Sequence, residues 1–343
     1  MKAIKGFDAN LQCRGFQFAV GQTYRHEGKV ETCKGGFHAI PEDAHPLSVF
    51  EYYSPAKSRF CIVELNGATE RDGDKVAAEI LTVIKEISLG DLTNKAVDWV
   101  VARAKSEGVT AVKKNGLASA SGNRGAATAS GDRSAASASG HWGAAIASGS
   151  HSAASASGNY GAATTSGNYG AATTSGYRGA ASASGSHGAA TTSGNYGAAT
   201  TSGYRGAASA LGSHGAASAS GNYGAASASG SHSAASASGN YGVASASGNY
   251  GVATASGYHG VASASGNYGV ANASGEQSCA IVTGPDGKVR GDVDDVDLFA
   301  REVVWDGEKY KRLSIACGTT GKNGIKAGVW YRCKGGKLVE CEE

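Results

Sequence analysis

Between Gly122 and Ser274 the chain alternates small apolar and small polar residues in a unit of nine whose register never slips. Gly158-Asn159-Tyr160-Gly161-Ala162-Ala163-Thr164-Thr165-Ser166 is followed directly by Gly167-Asn168-Tyr169-Gly170-Ala171-Ala172-Thr173-Thr174-Ser175. The opening glycine recurs at every ninth position from Gly122 to Gly266, seventeen units in all, and Gly275 follows the last. Each unit divides into a turn, G-x-[Y/H/R]-G, and a five-residue segment, A-A-[S/T]-[A/T]-S. Glycine in the turn is expected to supply positive φ. Paired glycines at this spacing disfavour helix, and a five-residue strand survives only when neighbours stack on it. The pattern therefore predicts a mainly β protein built on a parallel, β-roll-like solenoid over residues 117–275.

The position after Ala162 is alanine in every unit, whereas neighbouring positions accept Ile146, Asn272 and Leu211. Strand alternation then sends Ala163 and Thr165 inward and Ala162, Thr164 and Ser166 outward. The interior is thin and lined by methyl groups, so backbone ladders must carry much of the order. Two units per turn give an 18-residue coil, the favoured reading. Three give a 27-residue coil, which the matching turn order of Gly176–Ser202 and Gly203–Ser229 would also fit.

The flanks carry the large apolar side chains. Residues 1–116 predict a small α+β domain with strands near Phe16-Gln17-Phe18, Phe37-His38-Ala39 and Phe60–Leu65. A helix is expected from Asp91, as N-cap, to Ser106, burying Val97, Val100, Val101 and Ala104 with Trp99. Residues 276–343 predict a β-rich cap, with Gly284-Pro285-Asp286-Gly287 as a hairpin turn between Ala280–Val282 and Lys288–Arg290.

Composition sharpens this division. Of 343 residues 53 are glycine and only 17 % are charged, and the net charge of +3 is too small to announce a nucleic-acid or membrane partner by long-range attraction. No apolar stretch reaches the length of a signal peptide core or a membrane span, so a soluble product in the cytoplasm is expected, without a membrane partner. The seven cysteines, Cys13, Cys33, Cys61, Cys279, Cys317, Cys333 and Cys341, lie outside the array with no C-x-x-C pair. Reduced, packed thiols are expected, with no zinc site. Asp292, Asp294, Asp295 and Asp297 read as a solvated acidic loop rather than a cation site. No aspartate occupies the position used as a calcium ligand in calcium-binding nonapeptide repeats. No cofactor is expected.

The chemistry lies at the third position of each unit: Arg124, Arg133, Trp142, His151, Tyr160, Tyr169, Arg178, His187, Tyr196, Arg205, His214, Tyr223, His232, Tyr241, Tyr250, His259 and Tyr268. No acid stands among them. Placed at turns, they would form one or two stripes of aromatic and cationic groups, able to stack on bases, sugars or each other. A ladder that only shields the turns and stabilises them is the alternative.

Lys5-Gly6-Phe7, Cys13-Arg14-Gly15-Phe16-Gln17, Gly36-Phe37-His38-Ala39, Tyr52-Tyr53 and the C-terminal Gly324-Ile325-Lys326-Ala327-Gly328-Val329-Trp330-Tyr331 resemble blocks of a phage and prophage family of unknown function. The resemblance covers the whole plan, departs at Ile40 where the family often has cysteine, and implies phage origin without an activity. The expectation is a non-enzymatic, phage-encoded protein in the host cytoplasm whose repetitive edge binds a host protein or protein–nucleic-acid complex, inhibiting a defence or nucleic-acid-processing assembly. Alternatives are a spacer or homo-oligomerising rod of a virion, an ice- or polysaccharide-binding solenoid, and an ADP-ribosyltransferase-like enzyme with a pocket holding His38 and Glu64.

Overall fold

The computed structural model describes residues 1–103 and 109–342. The N-terminal part is an antiparallel sheet of β1 (Lys2–Phe7), β4 (Thr23–Arg25), β5 (Phe37–Pro41), β6 (Arg59–Asp72) and β7 (Lys75–Ile87), with β2 (Gln12–Cys13) and β3 (Phe16–Gln17) forming a small separate ribbon. The strand order is β4-β7-β5-β1-β6, and β7 also pairs with β6, closing β5, β1, β6 and β7 into a ring. β6 and β7 form a hairpin of 14 and 13 residues, far longer than the short strand read at Phe60–Leu65. Phe7, Phe18, Val63, Leu65, Leu81 and Val83 fill its interior.

One helix, α1 (Leu89–Arg103), follows. Asp91 was the expected N-cap, but Ser88 takes that place: the Asp91 N–H donates to Ser88 Oγ, and Asp91 Oδ2 accepts from the Ser88 N–H. Asp91 is thus the third-residue arm of a capping box. The expected helix end at Ser106, and Ala104 of its buried face, lie outside the described residues.

The array is a parallel solenoid, about eleven turns over residues 109–300. Cα partners differ by 18 throughout, as in Ala144↔Ala162 and Val252↔Val270, so each turn holds two repeats and the 27-residue alternative falls. Strands of alternate repeats segregate into two facing sheets. The second and fourth strand positions point inward as the alternation demands: Ala163 and Thr165 are fully buried.

The turn works differently from the expectation. With few exceptions the glycines do not take the left-handed conformation; the bulky third residue does, from Arg133 at φ 55° through Tyr169 at 58° to Tyr268 at 55°. Each such residue costs about 1–2 kcal/mol relative to ordinary backbone. Its N–H is satisfied across the stack, as when Tyr169 N–H donates to Ser186 C=O at 2.9 Å. The opening glycine is required by space instead. A Cβ on Gly221 would stand 2.0 Å from the Gly203 carbonyl oxygen of the preceding coil.

The coil continues beyond the repeats. Cys279–Val282 pairs in parallel with Val261–Ala264, and Lys288–Gly291 with Val270–Ala273. Gly284–Gly287 is therefore a solenoid corner between opposite sheets, not a hairpin turn, and Asp286 holds the left-handed place at φ 53°. Antiparallel strands then end both sheets: Asp297–Trp305 leaves the last rung to pair with Tyr310–Thr319, and Tyr331–Lys334 pairs with Val289 and with Lys337–Glu340. Val296, Leu298, Ala316, Tyr331 and Cys333 close the core there, with Ile325 packed against it.

The N-terminal domain lies along the side of the solenoid. Leu92, Ala96, Val97, Trp99 and Val100 of α1, with Leu47, Val49 and Phe50 of a 3-10 helix at Pro46–Glu51, pack on the outward alanines Ala144, Ala162, Ala180, Ala198 and Ala216 of one sheet. The equivalent alanines of the other sheet, such as Ala153 and Ala171, stay exposed. Among the described residues no helix is long and apolar enough to cross a membrane. All seven cysteines are unpaired thiols.

Candidate functional site

An 18-residue coil places the third-position side chains on two opposite edges, and the two have different fates. Arg124, Trp142, Tyr160, Arg178, Tyr196, His214, His232, Tyr250 and Tyr268 share the edge beside α1. Most of it is taken up by the chain's own N-terminal domain. The Trp142 ring lies 5.2 Å from that of Trp99, and Tyr160 lies 5.1 Å from His45. Arg178 is 6 % exposed; it pairs with Glu51, approaches Asp74 at 3.6 Å and donates to Ser48 Oγ at 2.8 Å. Ser54 Oγ donates to the His232 carbonyl at 3.1 Å, and the Lys57 ammonium sits 5.1 Å from the Tyr250 ring centre. Trp142 and Tyr160 escape the left-handed turn conformation; their N–H groups donate to Asn123 and His141 of the preceding coil.

Stacking continues along this edge through Tyr196, His214, His232, Tyr250 and Tyr268, with ring centres 4.9–5.1 Å apart. Burial, and then the neighbouring His232, hold the His214 imidazole below its usual pKa.

Arg133, His151, Tyr169, His187, Arg205, Tyr223, Tyr241 and His259 form the opposite edge, which no other part of the described chain covers. Tyr169, Tyr223 and Tyr241 are 53 %, 46 % and 45 % exposed. His151, Tyr169 and His187 stack at 4.8 Å, and Tyr223, Tyr241 and His259 at 4.9–5.1 Å. Between these stacks the Arg205 guanidinium lies 5.7 Å from the Tyr223 ring. Ring faces are thus largely occupied by neighbouring rungs. What meets solvent is a row of ring rims, hydroxyls, imidazole nitrogens and guanidinium groups.

Tyr204 and Tyr258, from the second position, join this edge and were missed by a reading that took only third positions. Tyr204 meets Tyr223 edge-on at 5.4 Å, and Tyr258 contacts His259 at 4.0 Å. Their signal was available, since both stand where the repeat usually has Asn or Ser. Where asparagine is present it forms its own ladder: Asn168, Asn222 and Asn240 Oδ1 accept the N–H of Ser186, Asn240 and Tyr258 one coil on.

The other sequence-marked residues divide as follows. Lys5, Cys13, Arg14, Phe16, Gly36, Phe37, His38, Tyr52 and Tyr53, scattered over the first 53 positions, line one cavity of about 590 Å³ in the N-terminal domain. His38 is on its wall, whereas Glu64 lies on β6 facing solvent and does not line it. The acidic loop is dispersed: Asp292 pairs with Arg290, Asp295 with Lys322, and Asp297 accepts from Thr319. Among the described residues no group of three or more His, Cys, Asp and Glu side chains is placed to hold a metal ion.

Residues 1–95 match a protein family described as a domain of unknown function, DUF7666. The match spans the N-terminal sheet and the first turns of α1, and stops short of the solenoid. No curated protein and no solved structure matches the chain.

Proposed function

We propose that this chain is a non-enzymatic, phage-encoded binding protein whose free edge engages an extended host macromolecule, to the detriment of a defence or nucleic-acid-processing complex. One observation carries the reading. Of two chemically similar ladders, one is consumed by the protein's own N-terminal domain and the other is left open over its length. Because neighbouring rings already occupy each other's faces, recognition falls to the rims. Tyrosine hydroxyls, imidazoles and the guanidinium groups of Arg133 and Arg205 make a donor-rich, cationic line that suits regularly spaced acceptors such as phosphates.

The test is affinity purification from host lysate, with and without nuclease, using the intact protein and a variant with Tyr169, His187, Arg205, Tyr223 and Tyr241 changed to serine. A host complex retained by the intact protein and lost with the variant, with a salt-sensitive affinity, supports the reading. Retention of the same material by both proteins, or of none by either, defeats it.

A spacer role is the second reading, and the stacking itself favours it: rings 4.8–5.1 Å apart stabilise the turns without any ligand. A spacer tolerates the five serines and responds to removal of one 18-residue coil; a binding edge responds in the opposite way.

A further inference from the structure

The cavity of the N-terminal domain has a chemistry that the edge reading does not use. Its floor is Lys5, 2 % exposed on β1, which runs between β5 and β6. Lys5 Nζ donates to the His38 carbonyl at 2.8 Å and lies 3.5 Å from the Tyr53 hydroxyl and 3.7 Å from Cys13 Sγ. Gly6 makes this arrangement possible, because a Cβ there would meet the Tyr53 ring at 2.3 Å.

Three cations converge on the space. Burial first, and then the charges of Lys5, Arg14 and Lys75, push the His38 imidazole below its usual pKa. His38 Nε2 accepts the Cys33 N–H at 2.8 Å, so the ring is held as a neutral acceptor. Arg25 and Lys34 also stand on the wall but are paired with Glu79 and Glu31. Among the described residues, no carboxylate is within ion-pair distance of Lys5, Arg14 or Lys75. Burial, with the charge of Arg14 adding to it, holds the Lys5 ammonium below its usual pKa, so a negative charge brought into the cavity would favour its protonated form.

The rest of the wall carries one acid, Glu27, with His26, aliphatic Ile4, Ile40 and Val49, and an aromatic group of Phe16, Phe18 and Phe37. Phe16 lies 6.1 Å from Phe37 and is 48 % exposed at the mouth, while Phe18 packs behind both. The volume of about 590 Å³ falls within the range of small-molecule sites, which combine apolar walls with a few convergent polar groups.

We propose that this cavity binds a small organic anion, with its phosphate or carboxylate held by Lys5, Arg14 and Lys75 and its flat ring laid against Phe16 and Phe37. The proposal stands apart from the free edge, which lies on the solenoid.

Isothermal titration of the full chain with adenosine monophosphate and with benzoate, each beside its neutral counterpart, adenosine and benzyl alcohol, tests it. At least one anion should bind more tightly than about 1 mM and about tenfold more tightly than its counterpart, a difference of the size one charge-assisted contact provides. Which anion binds separates a phosphate from a carboxylate ligand. Arg14→Gln and Lys75→Gln, both in exposed or half-exposed positions, should each weaken it severalfold, and Lys5→Met should abolish it. If Lys5→Met fails to fold by circular dichroism, the other two variants decide. Absence of binding by both anions, equal binding of the neutral compounds, or affinity unchanged in Arg14→Gln and Lys75→Gln overturns the proposal.

Discussion

The Arg178 guanidinium meets the Glu51 carboxylate across the seam between the N-terminal domain and the solenoid, with only 7 % of the arginine side chain exposed. Tyr177, the residue before it, donates to the same carboxylate at 2.9 Å. Its phenol pKa is pushed up to about 12, by burial first and then by that hydrogen bond and the charge of Glu51. This third-position residue is a bolt between domains, while Arg205, one and a half coils on, faces solvent.

Removing either member of the pair should loosen the seam, but unequally. Glu51→Ala leaves the buried cation with only the Asp74 carboxylate at 3.6 Å and is expected to cost about 2 kcal/mol; Arg178→Met leaves a carboxylate that water can reach and should cost less. Urea unfolding of both variants measures the order, and the reverse order would show that the arginine stem's packing dominates.

A methyl group at the opening glycine should be intolerable where coils stack. Gly221→Ala places Cβ 2.0 Å from the Gly203 oxygen and is expected to cost more than about 3 kcal/mol. Gly73→Ala, with no atom within 4 Å but φ at +60°, should cost only about 1 kcal/mol. Equal losses in thermal melts would refute the steric account.

Inside the solenoid, Thr165, Thr174, Thr192 and Thr201 bury hydroxyls that have no hydrogen-bond partner among the described residues. Thr165→Val keeps the shape and removes the stranded hydroxyl, so stability should rise by about 1 kcal/mol. A fall on denaturant titration would mean that the hydroxyl is satisfied in solution.

Acid should weaken the docked edge. The folded pKa of His214 is depressed, so near and below the ordinary histidine value of 6.5 the unfolded chain binds more protons than the folded one. Stability from this group is complete above pH 6.5 and declines as pH falls from there toward the folded pKa. His214→Gln should flatten that part of the stability–pH curve. An unchanged slope would assign the acid sensitivity to other groups, His38 first, whose pKa is also lowered.

The sequence by itself determined the solenoid, its inward Ala163 and Thr165 positions and the place of the turns, because a nine-residue period with invariant glycine and alanine admits few other ways to pair short strands. It left 18 against 27 residues per coil open, since both keep every glycine in column. It placed glycine in the turns but misjudged why: conformation was expected, and the contact between Gly221 and the coil beneath supplies the reason. Tertiary structure decided the rest. Arg178 and Arg205 occupy identical places in the repeat, and only the docking of Leu92, Val97 and Val100 on one row of alanines buries the first and frees the second. Lys5, Arg14, His38 and Lys75 likewise meet only after the sheet closes. A local repeat encodes its own geometry in every unit, whereas which of its two equal edges is covered, and which distant cations share a cavity, depends on contacts between segments that no local period records.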